Sequence, residues 1–438
     1  MKRTLKHISY SMGNFANTIA YQVFGNRIQF YYVDILGLNA ATAGILWTIY
    51  GLWNAVNDPL MGQLSDRTRT KMGRRVPYVM FGAIPLGLSF FFLWAPVQKP
   101  AWVLAAYFLM ILFIFDTLYS LTIIAYNALF PEVAPTVRDR VDLSATREIL
   151  ATIALLLSYI LAPIIAEEVG YIVMGAIMGG LVGIGYLIAM IGVKEKKIDE
   201  KEVQLGLGAS LKIVLSSKPF LWFLGANIAK EYVWLVLGAM LPFWRKYALG
   251  IQAPVSVFGT QLGPGDAEAV LLGLPILLTI PCLLIWRPIV LRLGYRRTWI
   301  IAAFTFIPGL LLTGLAHDFT SGLIGTLLIC PGLAGSMIMP FPVISEVIDD
   351  DAKREQGYRR EGIFFGMNGG ITKLAFSAQG VLFASIMSAA GYVAGQAVQS
   401  ASAVNGIRFL IGGTPILASL IIIFCMWRYP LGRDSHVA

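Results

Sequence analysis

Charge is scarce in this sequence: 13% of its 438 residues are charged and 57% are hydrophobic. Soluble domains carry about 25% charged and about 45–50% apolar residues. The shortage leaves no room for a sizeable water-facing domain, and a mean hydropathy of +0.70 says the same. Cysteine is nearly absent. Cys282, Cys330 and Cys425 lie inside apolar runs, a pattern that gives no disulfide framework and no metal-ligand spacing. The three histidines, His7, His317 and His436, fall at ends or loops, so neither a hydrolytic triad nor a histidine metal centre is visible. No GxxxxGK[ST] phosphate loop occurs, which excludes self-contained ATP-driven pumping. No catalytic residue, metal or organic cofactor is expected. The short basic start (Lys2, Arg3, Lys6) runs into a long apolar helix without a small-residue cleavage site, so no cleavable leader is expected.

What the sequence has instead is long apolar runs. A membrane span needs about 20 mostly apolar residues, and twelve such runs occur, near 8–36, 41–62, 76–95, 101–129, 144–166, 169–193, 220–247, 269–286, 299–316, 321–344, 362–390 and 408–426. Net charge is +9, but the basic residues sit at span ends, as topology determinants do, and no nucleic-acid partner is implied. Arg67, Arg69, Lys71, Arg74 and Arg75 share loop parity with Arg138, Arg140, the run 194–201, the turn 292–297 and the loop 353–360. The opposite loops offer little beyond Lys99, so both termini are expected in the cytosol by the positive-inside rule. The charged segment 194–218 divides the chain into a first six-span half, 1–193, and a second, 219–438. The turn ending Lys71-Met72-Gly73-Arg74-Arg75 echoes Arg292-Leu293-Gly294-Tyr295-Arg296-Arg297, and Arg138-Asp139-Arg140 echoes Arg359-Arg360-Glu361, which favours duplication. Six-plus-six repeats suit a carrier whose halves rock around a central site.

Several polar groups lie inside these runs, where by default they mark a substrate or ion path. Asp58 lies eight residues before Asp66, about 12 Å inward, and shares a helix face with Asn54. It can carry a proton or contribute oxygen ligands to Na⁺, or it can pair structurally with another span. Lys373, about 18 Å past Glu361, needs an acid or a polar route, and its neighbours Gly366, Asn368, Gly369 and Gly370 allow either. Lys230 and Glu231 diverge by ~100° on a helix and are expected to seek different partners. With Asn227 and Trp234 nearby, one face of span seven can line the cavity; Lys230, Glu231 and Asp116 serve either a substrate or an interhelical network. Asn14, Asn17, Thr18 and Tyr21 form a hydrogen-bonding face on span one suited to a polyhydroxylated ligand. Arg27 is expected to snorkel outward. Trp94, Trp102, Trp244 and Trp427 are expected in an interfacial belt. Asp66, Arg67, Gly73, Arg74 and Arg75 form a turn that sets conformation rather than binds ligand.

Gly62-Gln63-Leu64-Ser65-Asp66-Arg67 followed by Gly73-Arg74-Arg75 resembles the loop signature of the major facilitator superfamily. With Asn57-Asp58-Pro59 ahead of it, with Ser345 through Asp350, Gly357 through Gly362 and Lys373, and with Tyr429-Pro430-Leu431, the chain resembles the glycoside–pentoside–hexuronide:cation symporters. The resemblance implies an all-α integral membrane protein with the major facilitator fold, twelve transmembrane helices in two six-helix halves, monomeric and multi-pass in the cell membrane. It implies H⁺- or Na⁺-coupled symport of a small molecule, a sugar, glycoside or hexuronide. Its coupling positions correspond to Asp58, Asn54, Thr18 and Lys373. Substrate contacts are assigned to Asn14, Asn17, Tyr21, Arg147, Lys230, Trp234, Asn368 and Lys373, and gating to Asp66, Arg67, Gly73, Arg74 and Arg75. Arg147 matches a family arginine that serves either the substrate or the cytosolic gate. The departures are specific: Asn54, Thr18 and Ile123 stand where melibiose-type members carry acids, which favours a proton over sodium. A lysolipid or other amphiphile carrier of the same fold, and a passive channel or sensor, are the rival functions.

Overall fold

A computed structural model of the chain describes residues 3–97, 100–134, 137–191, 193, 212, 214–257, 259–354 and 361–431. Most of the expected linker 194–218, the arginines 359 and 360 and the side chains of Asp66, Arg67, Arg138, Arg140 and Glu361 lie outside the described set. Among the described residues, ten helical stretches are long and apolar enough to cross a membrane. Helices α1 (Arg3–Phe30) and α2 (Ala40–Arg67) are 28 residues each. They fall outside those ten because they carry much of the polar chemistry, and with them the expected twelve are present.

The remaining helices are α3 (Val76–Leu93), α4 (Ala101–Ala128), α5 (Phe130–Val133), α6 (Val137–Leu156), α7 (Ala162–Glu168), α8 (Tyr171–Ala189), α9 (Lys218–Phe243), α10 (Pro264–Leu315), α11 (Phe319–Ile338), α12 (Pro340–Arg354), α13 (Glu361–Thr372), α14 (Leu374–Ala389), α15 (Ala401–Arg408) and α16 (Thr414–Arg428). The 52-residue α10 is two spans joined at Gly294, whose φ of +73° breaks the helix. A two-stranded antiparallel hairpin, β1 (Val255–Val257) with β2 (Thr260–Leu262), precedes it.

The chain separates into two compact units, Met1–Leu38 with Val56–Glu202 and Asn39–Ala55 with Val203–Ala438. In the first, α3 and α8 meet backbone to backbone. A side chain on Gly87 would lie 2.7 Å from the Gly179 carbonyl, and one on Gly179 would lie 2.6 Å from the Gly87 carbonyl. Without a hydrophobic drive between lipid-bathed helices, such close approach of small residues is what holds them. The carbonyls that end α3 are satisfied by three tyrosines: Tyr107 donates to Phe92, Tyr32 to Leu93 and Tyr31 to Trp94. In the second unit, the first part of α2 packs on α14. A side chain on Gly380 would lie 2.8 Å from the Gly44 carbonyl, and Trp47 Nε1 donates to Gln379 at 2.8 Å.

The chain has four wide, π-helical turns among its described residues, and two of them have a direct physical cause. Pro163 and Pro415 cannot donate to the carbonyls four residues back, Tyr159 and Ile411, and each of those carbonyls lies mid-way along a wide turn, Leu157–Leu161 and Phe409–Gly413. The other two, Tyr31–Ile35 and Trp244–Ala248, end spans one and seven and are near copies. Leu36 N–H donates to Tyr31 at 3.0 Å as Leu249 does to Trp244 at 2.9 Å; Leu38 reaches Tyr32 at 2.9 Å as Ile251 reaches Arg245 at 3.0 Å. Gly37 (φ +78°) and Gly250 (φ +69°) close both turns in the left-handed region that glycine enters without a Cβ penalty. The duplication inferred from the basic turns thus extends to this exit turn. It holds at the basic turns themselves too: Arg75, two residues past Gly73, donates to the last carbonyl of α4, Ala128, at 2.7 Å, and Arg296, two past Gly294, donates to Met426 and Trp427 at the end of α16.

Three surface expectations need correcting. Arg27 does not snorkel, since it is fully buried. Trp94 and Trp244 are also fully buried rather than belt residues, because Gly175 and Gly322 leave room beneath their rings and Trp244 Nε1 bonds the Thr313 carbonyl. Trp102 and Trp427 are exposed, as an interfacial belt requires.

The glycine contact gives a controlled test of packing. Gly179→Val forces atoms into the Gly87 backbone, an overpacking that costs ~1–3 kcal/mol, whereas Gly180 faces open space. Thermal unfolding in detergent should show Gly179→Val melting several degrees below Gly180→Val.

Candidate functional site

In the first unit the polar groups gather along one helix, α4. Its residues Asp116, Ser120 and Asn127 interrupt an apolar sequence at spacings that return to one face. Asp116 and Ser120 are buried and Asn127 is exposed. Asn57 on α2 donates through Nδ2 to the Asp116 carboxylate at 2.8 Å and to the Asp116 carbonyl at 3.1 Å. One turn along α4, Ser120 Oγ donates to Asp58 Oδ1 at 2.5 Å. Asp116 is therefore part of an interhelical link, and the half-buried Asp58 is held by a hydroxyl beside it. A serine can donate to an ionised carboxylate and accept from a protonated one, so this contact suits both charge states of Asp58.

The expected hydrogen-bonding face of span one is present, but most of it is engaged within the protein. Asn17 Oδ1 accepts from Tyr119 at 2.7 Å, and the Tyr21 and Tyr119 rings stack at 6.5 Å. Thr18 donates back to the Asn14 carbonyl at 2.9 Å. Asn14 Nδ2 donates to the Arg147 carbonyl at 3.1 Å. Arg147 on α6 donates through Nη2 to Asn127 Oδ1 at 2.8 Å and to Asn14 Oδ1 at 3.4 Å, and lies 5.3 Å from the centres of the Tyr126 and Phe130 rings. Tyr126 is itself locked to span one by reciprocal bonds with Tyr10. Higher in span five, the wide turn at Leu157–Leu161 carries Tyr159, which donates to Gln22 at 2.7 Å.

Sequence reasoning missed Tyr119, Ser120, Asn127 and Tyr159 as members of this cluster. The signal was the recurrence of polar residues along α4, which hides inside a helix that passes every hydropathy test.

The second unit holds a smaller group. Asn227 Nδ2 on α9 donates to Asn368 Oδ1 on α13 at 2.9 Å, and the buried acceptor Asn227 Oδ1 finds no donor among the described residues. Lys230 and Glu231 do not seek different partners; they pair with each other at 2.5 Å. The flexible lysine stem spans the ~100° between them, and in an apolar helix mutual neutralisation is the nearest relief. Trp234, one turn on from Lys230, is half-buried. Lys373 occupies the single turn residue between α13 and α14, where its backbone stays helical and its side chain makes no capping bond. Asn54 donates to Tyr50 at 3.2 Å on its own helix. Two further motif fragments meet here: Tyr429 donates to Glu346 at 3.1 Å.

The basic turn after α2, expected to serve gating, is internally braced. Thr70 donates to the Gly73 carbonyl at 2.5 Å and accepts from Met72 N–H, and Thr68 bonds Tyr78. Arg75 has the capping role already described, and the side chains of Asp66 and Arg67 lie outside the described residues.

Comparison with known proteins agrees with this architecture. The family described as MFS/sugar transport protein matches residues 9–433. The isoprimeverose transporter of Lactiplantibacillus pentosus is 24% identical over 96% of this chain and 88% of its own. The sodium-dependent lysophosphatidylcholine symporter 1-A of Danio rerio is 21% identical over 98% of this chain and 86% of its own. The crystal structure of the nucleoside transporter NupG superimposes with a TM-score of 0.68 at 13% identity, covering 98% of this chain and all of that one, which shows the fold alone. This chain is a multi-pass membrane transporter, not an enzyme, and it belongs to the MFS/sugar transport protein family, in keeping with the glycoside–pentoside–hexuronide:cation symporter motifs in its sequence.

Proposed function

We propose that this protein is a secondary carrier of the cell membrane that moves a sugar or glycoside with a proton by alternating access, with Asp58 as the coupling carboxylate. Family membership supports cation-coupled transport of a small molecule. The observation that carries the coupling role is the Ser120–Asp58 hydrogen bond beside Asn57 and Asp116. It gives a half-buried acid a neutral partner that tolerates both protonation states. The proton is favoured over Na⁺ because the positions around it are amide and hydroxyl, and both Asn54 and Thr18 have intrahelical partners.

Substrate contacts are assigned to Asn14, Asn17, Tyr21 and Arg147 in the first unit. Lys230, Trp234, Asn368 and Lys373 take the same role in the second, whose buried Asn227 supports a polar site there. Within the proposal the halves 1–193 and 219–438 rock about the linker 194–218, both termini are cytosolic, and the carrier is a monomer. A lysolipid reading has one observation in its favour, the lysophosphatidylcholine symporter among the relatives. Transport assays with both ligand types separate the two.

Asp58→Asn keeps the shape of a protonated acid but cannot release a proton. It should abolish accumulation against a gradient while counterflow exchange survives; Lys373→Ala should lower binding as well as accumulation. If both variants accumulate substrate normally in proteoliposomes, neither residue couples. For the ion, an imposed proton gradient should drive uptake, and a proton ionophore should collapse it. Uptake driven by sodium at clamped pH, insensitive to the ionophore, would reverse that assignment.

Asp66, Arg67, Gly73, Arg74 and Arg75 are assigned to cytosolic gating. Arg74→Gln should slow transport several-fold with equilibrium binding nearly intact, and Arg75→Gln should in addition lower the melting temperature, because it uncaps α4. A large loss of substrate affinity in the purified Arg74 variant would move that residue from the gate to the binding site.

A further inference from the structure

From the Lys230–Glu231 pair we infer that Glu231 is a proton-operated switch on substrate affinity: on taking up a proton it releases Lys230 to the buried amide oxygen of Asn227. The inference rests on the carrier reading above. A charge taken into a membrane span is costly, and an ion pair that joins two helices offsets part of that cost with a tertiary contact. Arg245 and Glu268 do so. They tie the exit turn of span seven to α10 at 3.2 Å, with side chains only 3% and 0% exposed. Lys230 and Glu231 do not. They are neighbours on α9, so their contact holds no other element, and among the described residues neither makes a further hydrogen bond or ion pair. Their side chains are 18% and 29% exposed, so this pair is more open than the structural one.

Asn227 supplies the place to which Lys230 goes. It lies three residues before Lys230, on the same side of α9 and within reach of the long lysine stem. Its Nδ2 is spent on Asn368, while its Oδ1 has no donor although the residue is only 3% exposed. A buried acceptor without a donor is costly, and an ammonium has donors only. While Glu231 is ionised, the carboxylate holds Lys230 more strongly than a neutral amide does. Once a proton binds one carboxylate oxygen, Glu231 is neutral and that advantage is gone. Lys230 then donates to Asn227 Oδ1 and keeps its own three protons. The step adds one proton and one positive charge and breaks no covalent bond. It brings the ammonium towards Asn368, the α13 residue assigned above to substrate.

The surrounding titratable groups leave this exchange to the pair itself. α9 packs against α12, α13, α14 and α16, of which α14 carries no charge. The charged residues of α12 and α16 gather at the end where Trp222 meets Phe424 and Tyr429 meets Glu346, about 13 Å of helix before Glu231. Arg245 and Lys246 of the exit turn lie about 20 Å beyond it. At the depth of the pair stands Lys373, nine residues past Phe364, whose ring meets Phe220. Its charge adds to that of Lys230 in favouring the ionised carboxylate, so the Asn227 acceptor is what tips the balance towards proton uptake.

The test follows the carboxylic-acid C=O band by infrared difference spectroscopy while the purified full chain, in nanodiscs, is taken from alkaline to acid pH. The wild type should gain a band that Glu231→Gln lacks and Asp58→Asn retains. Lys230→Gln removes the competing cation, so the band should appear at higher pH. Asn227→Leu removes the alternative acceptor, so it should appear lower by about one pH unit or more. Asn227→Ser reads the same downward shift if the leucine variant folds poorly. Equilibrium binding of methyl glucoside and methyl galactoside gives the functional reading. In Asp58→Asn, affinity should rise several-fold as pH falls through the range where the band appears, and adding Glu231→Gln should flatten that rise. Absence of a Glu231 band down to the pH at which the chain unfolds, or a band unmoved by both Asn227 variants, overturns the switch. A pH dependence that is present in the wild type and already flat in Asp58→Asn also overturns it, and leaves the Asp58 reading standing. If neither sugar binds the wild type, the sugar reading falls, while the band and its response to Asn227 still decide the switch.

Discussion

A hydrogen-bonding group taken into hydrocarbon has no water to fall back on, and that requirement decides how the spans of this protein meet. Asn57 reaches across to Asp116, Tyr119 to Asn17, and Tyr159 to Gln22. Each joins two helices that apolar contact alone would leave free to slide. The requirement also shapes backbone. Where Pro163 and Pro415 withhold a donor, the helix widens, and in span five the widened turn carries Tyr159. Where α3 runs out, three tyrosine hydroxyls complete its last carbonyls.

Glycine supplies the complementary condition, closeness. Gly87 against Gly179, and Gly44 against Gly380, bring backbones to contact with no side chain between. Because the small residues and the polar links act on the same helices, each unit is fixed both in separation and in rotation. The exit turns at Gly37 and Gly250 and the arginine caps at Arg75 and Arg296 repeat this arrangement in both halves. That repetition is the pattern expected if one ancestral six-helix unit was copied.

The fold class could be read from the run lengths and the loop arginines because both follow from the bilayer itself, through its thickness and the charge rule at its faces. The site was readable only in part. Asp58 stood out as a charge in apolar surroundings, and Arg147 only through the family resemblance. Ser120 and Asn127 did not, because a serine or asparagine inside a long apolar helix costs little in composition and gains meaning only from what faces it. The Lys230–Glu231 pair shows the opposite failure. Helical geometry separates adjacent residues by ~100°, but side-chain length closed a gap that backbone geometry opened. Arg27, Trp94 and Trp244 sit near span ends by sequence, yet they are buried, since end position says nothing of which face a neighbouring helix covers.

With Asp58 anchored at Ser120 and Arg147 at Asn127, α4 holds an acid and a cation towards one face, seven residues apart along the helix. That is about 10 Å of axial rise. Two unit charges at such a distance, in a medium of effective dielectric ~20, interact by roughly 1.5–2 kcal/mol. Each of the two side chains is bonded to a neutral polar group of the same helix. Their separation is therefore set by α4 rather than by their own attraction. A rigid helix whose backbone groups are all satisfied internally can carry such anchors through hydrocarbon, where long side chains left to themselves would close on each other.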